Sequence, residues 1–275
     1  MIREKPANLA SFVTGLLAMG RVVFRPQEAQ TALGIEQGAF LDAAEKLQKK
    51  KSLFSPRRGF YVAVPPQFLN LGCPPPSWFI DDLMRHDEAP YYVGLLKAAE
   101  IHGAAHQAVM EFQVITTTQL KPVKAGRTRI GFYFRKEFDA LASGIVDHKT
   151  DTGTMKVSSP ELTLLDLFRY PQAGGGLDNV VMVLDDLASK VDPQKLAHLA
   201  KGFETSTLQR AGYLLEKSGF AQHAEVLSLA INGKKPLAWI ELERSLIRIK
   251  DFTPAVLERN KRWHVIVRRE PERDQ

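Results

Sequence analysis

The first 66 residues constrain the fold most, because glycine and proline divide them into short segments whose apolar residues follow a helical period. From residue 6 to 19 apolar side chains recur every three or four positions, which predicts a helix with one buried face. A second helix is predicted over Pro26–Leu33, since proline is tolerated at a first helical position and Gly34 can end the helix. A third helix is predicted over 36–50. Its predicted buried face consists of Phe40, Leu41, Ala44 and Leu47.

Two β-prone runs follow the third predicted helix. Residues 53–54 and 60–64 flank a Ser-Pro-Arg-Arg-Gly turn, and this pattern predicts a β-hairpin. Only Gly34 and Ile35 separate the second and third helices, which is the short turn of a helix-turn-helix motif. Three helices with such a turn, followed by a hairpin, have the order of a winged helix-turn-helix. We therefore predict a winged helix-turn-helix domain over residues 1–66.

A proline-rich segment follows, with five prolines between residues 65 and 76. Proline removes backbone donors and stiffens a chain, so residues 67–76 are predicted to be a linker between two domains. Residues 77–275 are predicted to be a larger mixed α/β domain with a helical C-terminal half, which makes the protein α+β. Ser159 is predicted to cap a helix beginning at Pro160. Other helices are predicted near 78–85, 92–102 and through most of 177–231, and strands near 110–118, 128–135, 144–148, 154–157 and 264–267.

Signals for catalysis or metal binding are weak. The single cysteine, Cys73, excludes an intramolecular disulfide and a cysteine-based zinc site. His102 and His106 have the spacing of a metal-binding pair on a helix, but the motif lacks its glutamate and Gly103 lies between them. No nucleophile, base and orienting group can be proposed together, so we expect no catalysis, no metal and no cofactor. The sequence contains no apolar run of membrane-spanning length and no convincing signal peptide, so a cytoplasmic protein is expected.

The positive charge is concentrated at the two ends of the chain. The formal net charge is +6 over 275 residues, which alone is a weak indication of any partner. Residues 1–66 carry a net +5, residues 67–243 a net −3, and residues 244–275 a net +4. This distribution indicates nucleic acid as a partner of the N-terminal domain, and it argues against nucleic-acid binding by the whole surface.

The N-terminal basic residues fall where a winged helix-turn-helix meets DNA. Gln37 lies in the N-terminal part of the third helix, which enters the major groove, and its amide could read an adenine. Lysines at the end of this helix and arginines at the hairpin tip would contact phosphates or the minor groove. Solvation alone explains the lysines equally well, and Glu36, Asp42 and Glu45 would repel phosphate. The predicted DNA-contacting residues are Gln37, Lys46, Lys49, Lys50, Lys51, Arg57 and Arg58.

Several segments resemble one known family. The most specific are YYVGLLKAAEIHG at 91–103 and VSSPELTLLDL at 157–167. With FRPQEA at 24–29, AAEKLQKK at 43–50 and RGFYV at 58–62, they resemble the antitoxin of the AbiE abortive-infection system, a type IV toxin–antitoxin pair. The resemblance is clear over about residues 5–170 and looser in the helical remainder.

This resemblance implies an autorepressor whose winged helix binds inverted repeats of double-stranded DNA in its own promoter. It also implies an antitoxin that counters a nucleotidyltransferase-like toxin, without a stable toxin–antitoxin complex. The alternative is a plain winged-helix regulator whose C-terminal domain senses a ligand or partner. The basic tail is a possible second surface, either for DNA or for toxin neutralisation. Its residues are Arg259, Lys261, Arg262, Arg268 and Arg269.

Overall fold

The computed structural model describes residues 6–104, 109–233, 236–247 and 254–272. The chain forms two compact units that are interleaved in sequence. The first comprises Met1–Tyr92, Met110–Lys136 and Asp147–Lys156, and the second comprises Val93–Val109, Glu137–Val146 and Val157–Gln275. This division differs from the predicted one, because the proline-rich segment 67–76 lies inside the first unit.

The N-terminal elements of the first unit follow the predicted order closely. They are α1 (Leu9–Ala18), β1 (Val23–Phe24), α2 (Pro26–Leu33), α3 (Gln37–Lys49), β2 (Leu53–Arg57) and β3 (Phe60–Ala63). The strands form an antiparallel sheet in the order β1-β3-β2. Asn8 and Ser11 form a reciprocal capping box at the start of α1, and Gly34 ends α2 with a left-handed φ of 70°. An aromatic cluster of Phe12, Phe24, Phe40 and Tyr61 holds α1 and α3 on the sheet.

The proline-rich segment is folded rather than extended. Two short 3-10 helices, Pro66–Phe68 and Pro76–Trp78, each begin with proline, and α4 (Ile80–His86) follows. Cys73 is buried between them, and burial raises the pKa of its thiol to about 12. A thiol with so high a pKa carries almost no thiolate at neutral pH and is unreactive.

A six-stranded mixed sheet contains the remaining strands of the first unit. Its strands are β4 (Tyr91–Val93), β5 (Glu111–Thr116), β6 (Val123–Ala125), β7 (Thr128–Phe134), β8 (Ile145–Thr150) and β9 (Gly153–Ser158), in the order β6-β7-β5-β4-β9-β8. The β5 and β7 strands are parallel along their shared length, whereas β6 and β7 are antiparallel. The boundary between the units passes through β4, β8 and β9. The helix predicted over 92–102 is wrong at its start, because β4 continues to Val93.

The second unit is mainly helical, and the mixed α+β fold class is confirmed. Its helices are α5 (Leu95–Ile101), α6 (Pro160–Arg169), α7 (Leu177–Ala188), α8 (Pro193–Ala200), α9 (Thr205–Lys217) and α10 (Ala221–Ile231). The Ser159 hydroxyl accepts a hydrogen bond from the Leu162 amide, as predicted for the α6 cap. A small sheet in the order β10-β12-β11 closes the chain. It consists of β10 (Ile240–Glu241), β11 (Glu258–Asn260) and β12 (Val265–Val267).

Candidate nucleic-acid interface

Helix α3 presents a polar face that the rest of its unit leaves uncovered. Phe40 and Ala44 anchor the helix in the core, and Gln37 lies exposed in its first turn. The prediction that Leu41 is buried is wrong, because this side chain is 48% exposed. Successive helical residues point about 100° apart, so the residue after Phe40 leaves the core face. The exposed row consists of Gln37, Gly38, Leu41, Asp42 and Glu45.

The lysines at the end of α3 are solvent-exposed, as a phosphate-binding cluster requires. Lys46, Lys50 and Lys51 are all exposed at this end. Lys49 forms an i,i+4 ion pair with Glu45 at 2.7 Å, and this contact lowers the pKa of the Glu45 carboxyl. Both side chains of the pair are largely exposed, so a phosphate can compete for Lys49 at little cost.

The two arginines of the hairpin have different environments. Arg58 is exposed in the turn between β2 and β3. Arg57, however, is only 22% exposed, and its Nε lies 3.1 Å from the Asp87 carboxylate. Its Nη2 donates to the Lys121 carbonyl at 2.9 Å, and its guanidinium lies 5.7 Å from the centre of the Phe132 ring. The structure therefore changes the prediction for Arg57, whose cation is held by groups distant in sequence.

We expect Arg57→Ala to lower the free energy of unfolding by about 2 kcal/mol, because it leaves the largely buried Asp87 carboxylate without its cation. Arg58→Ala should change that free energy by less than about 0.5 kcal/mol, as for other surface substitutions. Urea denaturation of the two variants measures the difference. Equal midpoints would mean that the Arg57 guanidinium is solvated like that of Arg58.

Two basic residues of the tail are neutralised by carboxylates. Arg268 donates from Nε and Nη2 to Glu241 at 3.0 and 2.9 Å, in a largely buried pair. Arg269 donates to both oxygens of Asp178 and, through Nε, to Glu243. These bonds raise the pKa of Arg269, and they lower the pKa of the Asp178 carboxyl. They tie the end of the chain to α7 and do not create a cationic surface.

The other three residues of the predicted second basic surface also differ in environment. Arg262 pairs with Glu216 and Glu225, so its charge is compensated as well. Arg259 and Lys261 are exposed, and neither forms an ion pair with another described residue. Of the five cations of the predicted second basic surface, Arg259 and Lys261 are therefore the two that the described residues leave without an ion pair.

The segment 157–167, which carried much of the family resemblance, forms a buried polar network. The Ser158 hydroxyl lies 2.6 Å from that of Thr163, and both side chains are buried. The Glu161 carboxylate accepts from the Ser159 hydroxyl at 2.6 Å and from the Asp192 amide at 3.0 Å. Because the Glu161 carboxylate receives a donor on each oxygen, the network joins α6 to the start of α8 and has a structural role.

The histidine pair considered as a metal site is only partly described. His102 Nε2 lies 2.7 Å from the Ser158 carbonyl, which can only accept, so this nitrogen carries the proton. His106 lies outside the described residues. Across the described residues, no three histidine, cysteine or acidic side chains are placed to hold a metal ion together. Nor does any described helix combine the length and apolarity needed to cross a membrane.

These observations define an α+β protein of two interleaved units with an exposed polar helix and a lysine cluster near its N-terminus. Residues 92–217 match the family model of the AbiEi antitoxin C-terminal domain. This match confirms the resemblance to AbiE antitoxins and supports an antitoxin role in a type IV toxin–antitoxin system. AbiEi antitoxins are not a family of enzymes.

The fold as a whole has a counterpart among solved structures. The crystal structure of the RV2827C protein from Mycobacterium tuberculosis aligns with a TM-score of 0.68 and 17% sequence identity. The alignment covers 97% of this chain and 95% of that one. At this identity the similarity establishes a shared fold. The sequence matched none of the curated proteins with which it was compared.

Proposed function

We propose that this protein is the antitoxin of a type IV toxin–antitoxin system and represses its own promoter through an N-terminal winged helix-turn-helix. The observation that carries the DNA-binding part is the uncovered face of α3, with Gln37 in its first turn and exposed lysines at its end. Helices α2 and α3, joined through Gly34, form the helix-turn-helix, and the β2–β3 hairpin is the wing.

The chemistry of this face suits a reader of double-stranded DNA. In the proposed complex the N-terminal half of α3 enters the major groove, where the Gln37 amide pairs with N6 and N7 of an adenine. Lys46, Lys50 and Arg58 bind phosphates on either side. Asp42 and Glu45 repel phosphate, so they weaken binding to arbitrary sequences and favour a site whose base edges offset the repulsion. Inverted repeats would bind two copies of the chain, one on each half-site.

The AbiEi domain supports the second part of the proposal, in which the chain counters a nucleotidyltransferase-like toxin. In a type IV system the antitoxin acts without a stable complex with its toxin, and so we expect none here. The plain regulator, in which the C-terminal part senses a ligand, lacks a comparable supporting observation.

The full-length protein is expected to bind a duplex from its own upstream region at least about 100-fold more tightly than a duplex of scrambled sequence, at about 0.15 M salt. The physical reason is that base contacts add to a phosphate attraction common to both duplexes. Fluorescence anisotropy over a salt series measures both affinities. Equal affinities at every salt concentration would contradict the repressor assignment.

The antitoxin assignment has a separate test. Co-expression with the toxin encoded beside it should restore colony formation, and an Arg58→Ala variant should restore it equally when both genes are under a foreign promoter. Failure of the wild-type protein to restore growth, together with selective DNA binding, would leave the plain regulator as the function.

A further inference from the structure

The C-terminal sheet brings an aromatic pair to one of its ends. In this sheet Ile240 and Asn260 both pair with Val265 of the central strand β12. Because β10 and β12 are parallel, Trp239 and His264 lie side by side, one residue before each strand. Their rings are stacked, with centroids 4.8 Å apart and planes 13° from parallel.

This aromatic pair is held rigidly and left open to solvent. The His264 Nδ1 donates to the Leu237 carbonyl at 2.6 Å, since a carbonyl can only accept, and this bond fixes the ring. His264 has a φ of 49°, a left-handed conformation that costs energy for a residue with a side chain. Trp239 is 41% exposed, whereas Trp263 in the same tail is completely buried. The indole of Trp239 therefore offers a surface that the fold does not use.

Arg259 and Lys261 lie at the end of the sheet that carries the aromatic pair. Lys261 follows β11 and begins the turn of residues 261–264, which ends at His264. The register pairs Arg259 with Ile266, and Ile266 with Glu241 of β10, so these three side chains share one face of the sheet. Arg268 neutralises Glu241. This end of the sheet therefore combines an exposed aromatic surface with net positive charge.

We propose that this end of the C-terminal sheet binds single-stranded nucleic acid. A base stacks on the exposed side of the Trp239 indole, and Arg259 and Lys261 bind the adjoining phosphates. A duplex keeps its bases stacked on one another, so only a single strand can supply a free base to the indole. This site uses none of the residues of the proposed duplex site on α3. It assigns a ligand to Arg259 and Lys261, the exposed cations of the predicted second basic surface.

The test uses the full chain and a fluorescein-labelled single-stranded oligouridylate, with the matching deoxy-oligonucleotide as a second probe. Trp239→Ala should weaken binding about tenfold, the effect of losing one stacked base, and Trp239→Phe should retain most of it. Arg259→Ala with Lys261→Ala should lower the salt slope by about 1.4, at about 0.7 for each phosphate contact of a single strand. Leu229→Ala, which removes an apolar side chain on α10 that is even more exposed than Trp239, is the matched control and should bind like the wild type.

Three outcomes would overturn this proposal. They are the absence of saturable binding to either probe at low salt, equal affinities of the Trp239→Ala and Leu229→Ala variants, and loss of single-strand binding on reversing the charge of Lys46 and Lys50. The last outcome would assign single-strand binding to α3. Circular dichroism of each variant checks that the fold is intact. A preference between the RNA and DNA probes would identify which nucleic acid the site favours.

Discussion

Gly212→Ala is expected to destabilise the second unit by about 3 kcal/mol, although it adds a single methyl group to a helix. Gly212 lies in the middle of α9, and a Cβ atom there would overlap the six-membered ring of Trp263. The indole cannot withdraw, because it is completely buried and its Nε1 donates to the Glu216 carboxylate at 2.6 Å. Either the tail shifts away from α9 or the helix bends, and both break packing. Urea denaturation followed by circular dichroism measures the loss.

Gly15→Ala is the matched control for this prediction. Gly15 is also inside a helix, α1, but a Cβ atom there meets nothing within 4 Å. Alanine should therefore stabilise the protein by about 0.5–1 kcal/mol, because it restricts the unfolded chain. In a Trp263→Leu background the Gly212→Ala substitution should lose most of its cost, since the overlapping ring is absent. An unchanged cost in that background would show that the glycine serves some other purpose.

Local signals explain why the N-terminal elements were predictable from the sequence. Pro26 and Gly34 each act on the chain within a residue or two, so they fix both ends of α2. Apolar periodicity correctly predicted that Phe40 and Ala44 of α3 are buried, but it could not determine whether Leu41 is buried or exposed. That residue lies at the edge of the stripe, where only the position of neighbouring elements determines burial.

Long-range partners explain most of what the sequence could not predict. In the sequence, Arg57 is an arginine of a predicted turn. In the fold it pairs with Asp87, which follows α4 and lies thirty residues away along the chain. In the sequence, Arg269 belongs to a basic tail. In the fold it donates hydrogen bonds to Asp178, which lies ninety-one residues away along the chain. Charge clusters in a sequence therefore indicate candidates for a binding surface, and the fold decides which of them remain available. The lysines of α3 are still available because they lie on a helix face that no other part of their unit covers.

The exposure of the α3 lysines leads to the prediction with the largest effect on function. Reversing the charges of Lys46 and Lys50 with glutamate should weaken binding to the upstream duplex about 100-fold, and lower the salt slope by about 1.8, at about 0.9 for each lost phosphate contact. Each substitution removes one phosphate contact, together with the counterion that this contact releases from the DNA. The new glutamate carboxylate also repels the DNA phosphates. Anisotropy titrations over a salt series measure both quantities. The helix should persist, at a cost below about 1 kcal/mol for each negative charge near its C-terminus.

Lys124→Glu with Lys149→Glu is the control, because it changes the net charge equally at exposed strand positions of the same unit. If net charge alone caused the effect, both double variants would weaken binding equally, and this result would contradict a direct role of the α3 lysines in DNA binding. If α3 is the recognition helix, the control should keep nearly the full affinity and slope. Discrimination between the upstream and scrambled duplexes should survive the Lys46 and Lys50 reversal, because phosphate contacts carry no sequence information.

Gln37→Ala, in contrast, should reduce discrimination by about 1–3 kcal/mol at one base pair and leave the salt slope unchanged, since it removes a base contact and no charge.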